Sequence, residues 1–139
     1  MDVRMRLATA DDFEIFNQMY INFFVDDGGR LIDAMQEEKY KDMLEIESIY
    51  LATLNEEVIG FATLYAYEGE GCQIDSIFVK EKNKGVGAKF YKLLEKEIRD
   101  SNINRIFVHV FDERPEHFWY RMGFRSVNGT EEFDKYLNP

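Results

Sequence analysis

A chain of 139 residues, 45% apolar and 15% aromatic, is long enough for one domain around one packed core. Its formal net charge of -10 argues against nucleic-acid binding and weakly fits a cationic or amine-bearing partner, although solubility alone accounts for such a charge. The single cysteine excludes an internal disulfide and a Cys-rich zinc site, no apolar run reaches membrane-spanning length, and residues 1–6 lack a signal-peptide pattern, so a cytoplasmic protein without metal, membrane or nucleic-acid partners is expected.

In chain order, residues 3–7 read as a short strand. Thr9-Ala10-Asp11-Asp12 is a helix-start signal, and Phe13, Phe16, Met19 and Tyr20 fall on one face of the helix that follows. Asp26-Asp27-Gly28-Gly29 breaks that helix, and a second is predicted over residues 30–44 with Leu31, Met35 and Met43 as its apolar positions. Phe23, Phe24, Asp26 and Asp27 in this connection form either an aromatic, acidic mouth for an amine or a capped helix end with a buried Phe pair, and the second reading is preferred. The period then changes to that of strands, over 48–54, 57–67 and 72–79, with Gly60 inside the second. Tyr65 and Tyr67 share a strand face, where they line a pocket or simply pack together. A helix opens at Gly85-Val86-Gly87, with Val86, Phe90, Leu93, Leu94 and Ile98 on one side and Glu95 and Arg99 spaced to pair. A strand over 105–111, a short helix over 116–122 between Pro115 and Gly123, and strands over 124–127 and 132–137 complete the chain. The order β-α-α-β-β-β-α-β-α-β-β predicts a single mixed α/β domain over 1–139: a twisted mixed sheet of six to seven strands with helices on both faces.

The strand, Gly-x-Gly, helix junction is a candidate phosphate cradle. A helix N-terminus presents unpaired N–H groups and partial positive charge, and glycine lets an anion approach them. Lys82, Lys84 and Lys89 add positive charge in an otherwise acidic chain. The alternative is a tight turn that needs glycine for its backbone angles alone. No Gly-Lys-Ser/Thr follows, so this is not a P-loop, and Phe90 replaces the third glycine of a dinucleotide fingerprint.

Four stretches carry a family resemblance. They are Arg6-Leu7-Ala8-Thr9-Ala10-Asp11-Asp12, Ile74-Asp75-Ser76-Ile77-Phe78-Val79, Lys82-Asn83-Lys84-Gly85-Val86-Gly87 and Phe118-Trp119-Tyr120-Arg121-Met122-Gly123-Phe124. In content and order they resemble the opening R-x-A-T-x-x-D, the central strand, the Gln/Arg-x-x-Gly-x-Gly/Ala turn and the F-Y-x-x-x-G-F segment of the GNAT superfamily, the acyl-CoA-dependent N-acyltransferases. The resemblance spans nearly the whole chain. It implies acetyl-CoA as acyl donor, with Lys82, Asn83, Lys84, Gly85, Gly87 and Ala88 around its pyrophosphate. The strand edge at Phe78 and Val79 would pair with the pantetheine arm, and the Val79 amide would polarise the thioester carbonyl. Asp112 stands where the family often has Asn, at the end of the fifth strand. Trp119 stands where many members have a Tyr that protonates the leaving thiolate. Both are expected beside the cofactor, and Lys82 replaces the family's Gln/Arg.

The catalytic groups expected are therefore Asp75 and Tyr120. Gln73 occupies the place of a Glu base in some members and cannot take a proton usefully. Strand alternation places Gln73, Asp75, Ile77 and Val79 on one face, which makes Asp75 a candidate base as well as a candidate structural carboxylate. Tyr120 neighbours Trp119 and is the alternative acid to solvent. His109, in an apolar strand, reads as a core residue rather than a base, and His117 as an exposed one. Three functions follow in order of preference: transfer of an acetyl group to the primary amine of a small molecule or peptide, a non-catalytic acyl-CoA sensor of the same fold, and an unrelated phosphate-binding domain. Exposed strand edges and the 133–136 region permit a monomer or a homodimer.

Overall fold

The computed structural model describes residues 2–26, 36–81, 84–110 and 113–137, with the side chains of 24–26 and 113–114 set aside. Its elements are β1 (Val3–Leu7), a 3-10 turn (Ala10–Asp12), α1 (Phe13–Asp26), α2 (Glu37–Ile46), β2 (Ser48–Leu54), β3 (Glu57–Tyr67), β4 (Gly71–Val79), α3 (Val86–Asp100), β5 (Arg105–His109), α4 (Glu113–Arg121), β6 (Arg125–Ser126) and β7 (Glu132–Tyr136). The seven strands form one sheet in the order β1-β2-β3-β4-β5-β7-β6. Neighbouring strands run antiparallel except β4 and β5, which are parallel. This is the predicted mixed α/β architecture with helices on both faces. Among the described residues, no helix is long and apolar enough to cross a membrane.

Beyond shifts of a residue at strand ends, boundaries differ from expectation in three places. The second helix starts at Glu37 and buries Tyr40, with Met43 and Leu44 packed beside it. The Leu31 and Met35 expected on its face lie outside the described residues. The strand expected over 105–111 ends at His109. The last helix begins at Glu113, so Pro115 sits within its first turn, where its missing N–H has no helical partner to lose.

Each sheet face has its own apolar cluster. On one face α3 and α4 cover Ala52, Ala62, Ile74, Val79, Ile106 and Val108. The α3 positions that reach this layer, Val86, Phe90, Tyr91, Leu94 and Ile98, follow the helical three-and-four spacing. On the other face α1 and α2 bring Phe16, Met19 and Tyr40 onto Ile49, Leu51, Phe61 and Phe78. Four rings meet there, with Phe16, Tyr20 and Phe23 all within 6.1 Å of Phe61, centroid to centroid. Phe23 thus belongs to the core. Phe24 and Asp26, read with it as a possible mouth, are described in their backbone alone, as the end of α1, and Asp27 lies outside the described residues.

The opening motif is a structural lock. The Arg6 guanidinium donates two hydrogen bonds to the Asp12 carboxylate, at 2.8 and 2.9 Å, and the Thr9 backbone N–H donates to the same carboxylate at 2.8 Å. Tyr40 closes the unit by donating to the Thr9 carbonyl at 2.6 Å. Three of the four residues that spell the motif therefore tie the end of β1 to the start of α1, and α2 is latched onto both.

Candidate active site

The sheet opens between β4 and β5. Among the described residues these strands pair only at Cys72↔Ile106 and Gln73↔Phe107. Past Gln73, one edge of β4 is unpaired by β5 while the other stays paired with β3 through Val79. The Lys80 N–H donates to the Ile59 carbonyl at 2.8 Å, toward β3. Backbone groups alternate sides along a strand, so the Val79 N–H points the other way, into the opening. Gly60 allows this tight pairing. A Cβ there would lie 2.4 Å from the Phe78 carbonyl oxygen. Phe78 itself packs in the α1/α2 cluster and Val79 in the α3/α4 cluster, so the two expected edge residues straddle the sheet.

At the mouth of the opening, Gly85 caps α3. It lies in the left-handed region at φ 76° and supplies no side-chain cap, so the first-turn N–H groups of α3 are not satisfied by a side chain at that position. A Cβ on Gly85 would meet nothing within 4 Å. Gly87 faces Phe118, whose ring edge lies 3.4 Å from where its Cβ would be, and Val79 is at 3.9 Å. The end of β4, the start of α3 and α4 therefore converge. Ala88 follows in the same first turn, and Lys84 pairs with Glu81 at 3.3 Å. Lys82, Asn83 and Asp112 lie outside the described residues.

Asp75 shares the face of Gln73, as alternation predicts, but Ile77 and Val79 do not share it with them. Between Thr63↔Ser76 and Leu64↔Ile74 the register slips by one, and Asp75 is the extra residue of a β-bulge. The bulge reverses the phase of the strand. Ile77 and Val79 pack under α3 and α4 with Cys72 and Ile74, whereas Gln73 and Asp75 face the α1/α2 side. Ser76 is held there too, with its hydroxyl 2.6 Å from that of Thr63. The exposed Asp75 shares this region with Tyr20 of α1 and Glu47, the residue that ends α2. Burial and the Asp75 charge push the Glu47 carboxyl above the ordinary carboxylate range, and burial, Asp75 and Glu47 together push up the Tyr20 hydroxyl. Neither Glu47 nor Tyr20 stands out in the sequence as a site residue. Glu47 follows a run of charges, and Tyr20 reads as one more apolar helix position.

The other expected residues are dispersed. Trp119 is 5% exposed and stacks edge-on against Tyr91, Phe118 and Phe124, so its ring is part of the core. Tyr120 is 39% exposed and lies against Phe133 and Arg125, which places it on the α3/α4 side of the sheet. Partial desolvation and a hydrogen bond with Glu116 push its hydroxyl up. The structure does not bring Tyr120 and Asp75 together. His109 is exposed and stands beside the Phe107 ring, a correction to its reading as a core residue: β5 alternates, and Val108 rather than His109 points into the core. Cys72 is buried, and burial raises its thiol to about 11, which makes it an inert packing residue.

Comparisons with known proteins agree with this fold. An acetyltransferase from Thermus thermophilus superposes with a TM-score of 0.81 at 15% identity, over 99% of this chain and 98% of that one. A GNAT-family acetyltransferase from Staphylococcus aureus gives 0.81 at 15% identity, over 99% and 100%. A PaiA N-acetyltransferase from Thermoplasma acidophilum, solved in complex with coenzyme A, gives 0.77 at 15% identity, over 99% and 100%. At such identities the likeness shows the fold alone. No significant match is found among curated proteins. The model of the acetyltransferase (GNAT) family, however, matches residues 13–124, from the first residue of α1 to the one before β6. The chain belongs to the GNAT family of acetyltransferases.

Proposed function

We propose that the protein is an N-acetyltransferase that moves an acetyl group from acetyl-CoA to a primary amine by direct attack in a ternary complex. The observation that carries this reading is the junction of the β4–β5 opening with the uncapped start of α3. It joins an unpaired strand edge, which suits a peptide-like arm, to a set of backbone donors that suits a pyrophosphate. The residues present fit the donor, since Gly85 places no side chain over the N-terminus of α3 and the Val79 N–H is aimed into the slot.

Gly85, Gly87 and Ala88 would hold the pyrophosphate through their backbone, with Lys82, Asn83 and Lys84 around it, and the edge at Phe78 and Val79 would hold the arm. Acetyl-CoA supplies an acyl group activated as a thioester. The Val79 N–H polarises the acyl carbonyl where negative charge develops. The acceptor enters from the α1/α2 side, where Asp75 and Glu47 draw in the ammonium form of the amine. Asp75 takes up the proton that the amine must lose, with the Glu47 carboxyl in the same region. Trp119 supports α4 from within the core. The contacts of Tyr120 favour solvent as the acid that protonates the departing thiolate.

The test is thiol release from acetyl-CoA against a panel of primary amines, with acetyl-CoA binding followed by calorimetry. Release with any amine supports the transferase. Tight binding without release across a broad panel supports a sensor of the same fold, and absence of binding refutes the proposal.

A further inference from the structure

A cleft of about 530 Å³ adjoins the foot of the β4–β5 opening. Tyr67, Glu70, Gln73, Phe107, His109 and Tyr136 are among the residues that line it. It is built rather than incidental. Tyr67 donates to the Gln73 side-chain oxygen at 3.0 Å, packs on Tyr65 at 4.6 Å and meets Phe107 at 5.6 Å. These rings form a continuous aromatic wall from β3 across β4 to β5. The wall already holds one cation: the Arg105 guanidinium lies 4.8 Å from the Phe107 ring centroid. Arg105 is in turn neutralised by Asp134 at 3.0 Å and Glu132 at 3.1 Å. With Glu70 added, three carboxylates stand against one guanidinium and one imidazole in and around the cleft.

The cleft lies on the same face of β4 as Asp75. Gln73 and Asp75 lie on the same face of β4, two residues apart, and Gln73 lines the cleft. At about 3.3 Å per residue, Gln73 stands roughly 7 Å from Asp75 along the strand, and Gly71, next to Glu70, roughly 13 Å. An aromatic wall with excess negative charge recognises a desolvated cation. We propose that this cleft is a specificity site for the far end of the acceptor, and that the acceptor is an elongated linear amine with a second cationic group roughly 10–13 Å from the reacting nitrogen. The inference rests on the proposed transferase reading for the position of the reacting amine, but the cleft's affinity for the second cation does not depend on turnover.

The experiment compares a linear α,ω-diamine of eight carbons with the monoamine of the same length, and uses the protein carrying Glu70→Gln or Tyr67→Leu as well as the native chain. The expected kcat/KM for the diamine exceeds that of the monoamine by roughly tenfold, mostly through KM, from one cation–aromatic contact and one charge pair. Either substitution is expected to narrow that ratio to below about threefold, since each removes one of the two contributions. Titration of the same diamine into labelled protein is expected to move the NMR signals of Tyr67, Phe107 and His109 at concentrations where the monoamine does not. Cleft shifts without acetylation of any amine would support the cleft and overturn the transferase reading. Acetylation of both amines at equal kcat/KM, with no preferential shifts in the cleft, would overturn the cleft and leave the transferase standing.

Discussion

Replacing Asp12 by Asn keeps an acceptor for the Thr9 N–H but deletes the charge that Arg6 binds through two hydrogen bonds. Arg6, first by hydrogen bonding, holds the Asp12 carboxyl at about 2, against an ordinary 3.8, despite the opposing effect of burial. Such a displacement is worth roughly 2 kcal/mol of folding stability at neutral pH. The Asp12 side chain is 12% exposed but that of Arg6 is 47% exposed, so solvent screening reduces the figure toward 1 kcal/mol. Asp12→Asn is therefore expected to cost about 1–2 kcal/mol at pH 7, seen as a fall of roughly 0.5–1 M in the urea midpoint. The sign of the pH dependence follows from the lowered value. The contribution is complete above the unfolded-state pKa near 4 and is lost as pH falls through about 2. Native and variant curves should thus converge between pH 4 and pH 2. Equal stability at pH 7, or a gap that persists undiminished at pH 2, would refute the claim that this ion pair locks β1 to α1.

Gly60→Ala places a Cβ against the Phe78 carbonyl, so the β3–β4 ladder must shift; a loss of at least about 2 kcal/mol by urea denaturation is expected, and a loss below 0.5 kcal/mol would show that the ladder yields freely. Asp75→Asn should lower kcat/KM for a primary amine by roughly 10²–10⁴-fold with acetyl-CoA affinity unchanged, and retention of full activity would move the base elsewhere. The same substitution should lower the Glu47 midpoint, read by NMR of its carboxyl carbon, yet leave it above the ordinary range, because burial is the larger cause of its elevation; an unmoved midpoint would show that the two carboxylates do not interact. Cys72 should resist an aromatic disulfide reagent at pH 8 in the native protein and react once urea unfolds it, whereas rapid native labelling would contradict its burial.

The apolar period of α3, the glycine at its mouth and the order of strands and helices follow from the sequence alone, because they depend on residues within a few positions of one another. Gly85 shows this well. Its lack of a side chain and its place between an apolar run and an amphipathic pattern already mark a strand-to-helix turn, and Gly85 is the left-handed cap there. The Arg6, Thr9 and Asp12 motif is equally local, and its spacing contains the capping geometry that the fold displays. Whether Asp75 shares a face with Ile77 and Val79 is not local. It depends on where β4 slips against β3, between Thr63↔Ser76 and Leu64↔Ile74, and alternation counted along one strand cannot locate an extra residue that only a pairing partner defines. The same limit hides Glu47, 28 positions before Asp75 in the chain, and the aromatic wall of Tyr67 and Phe107, whose rings are 5.6 Å apart but whose strands are separated by β4. Local residue chemistry sets which elements form; register and sheet order, which bring distant side chains to one face, decide which of them share a site.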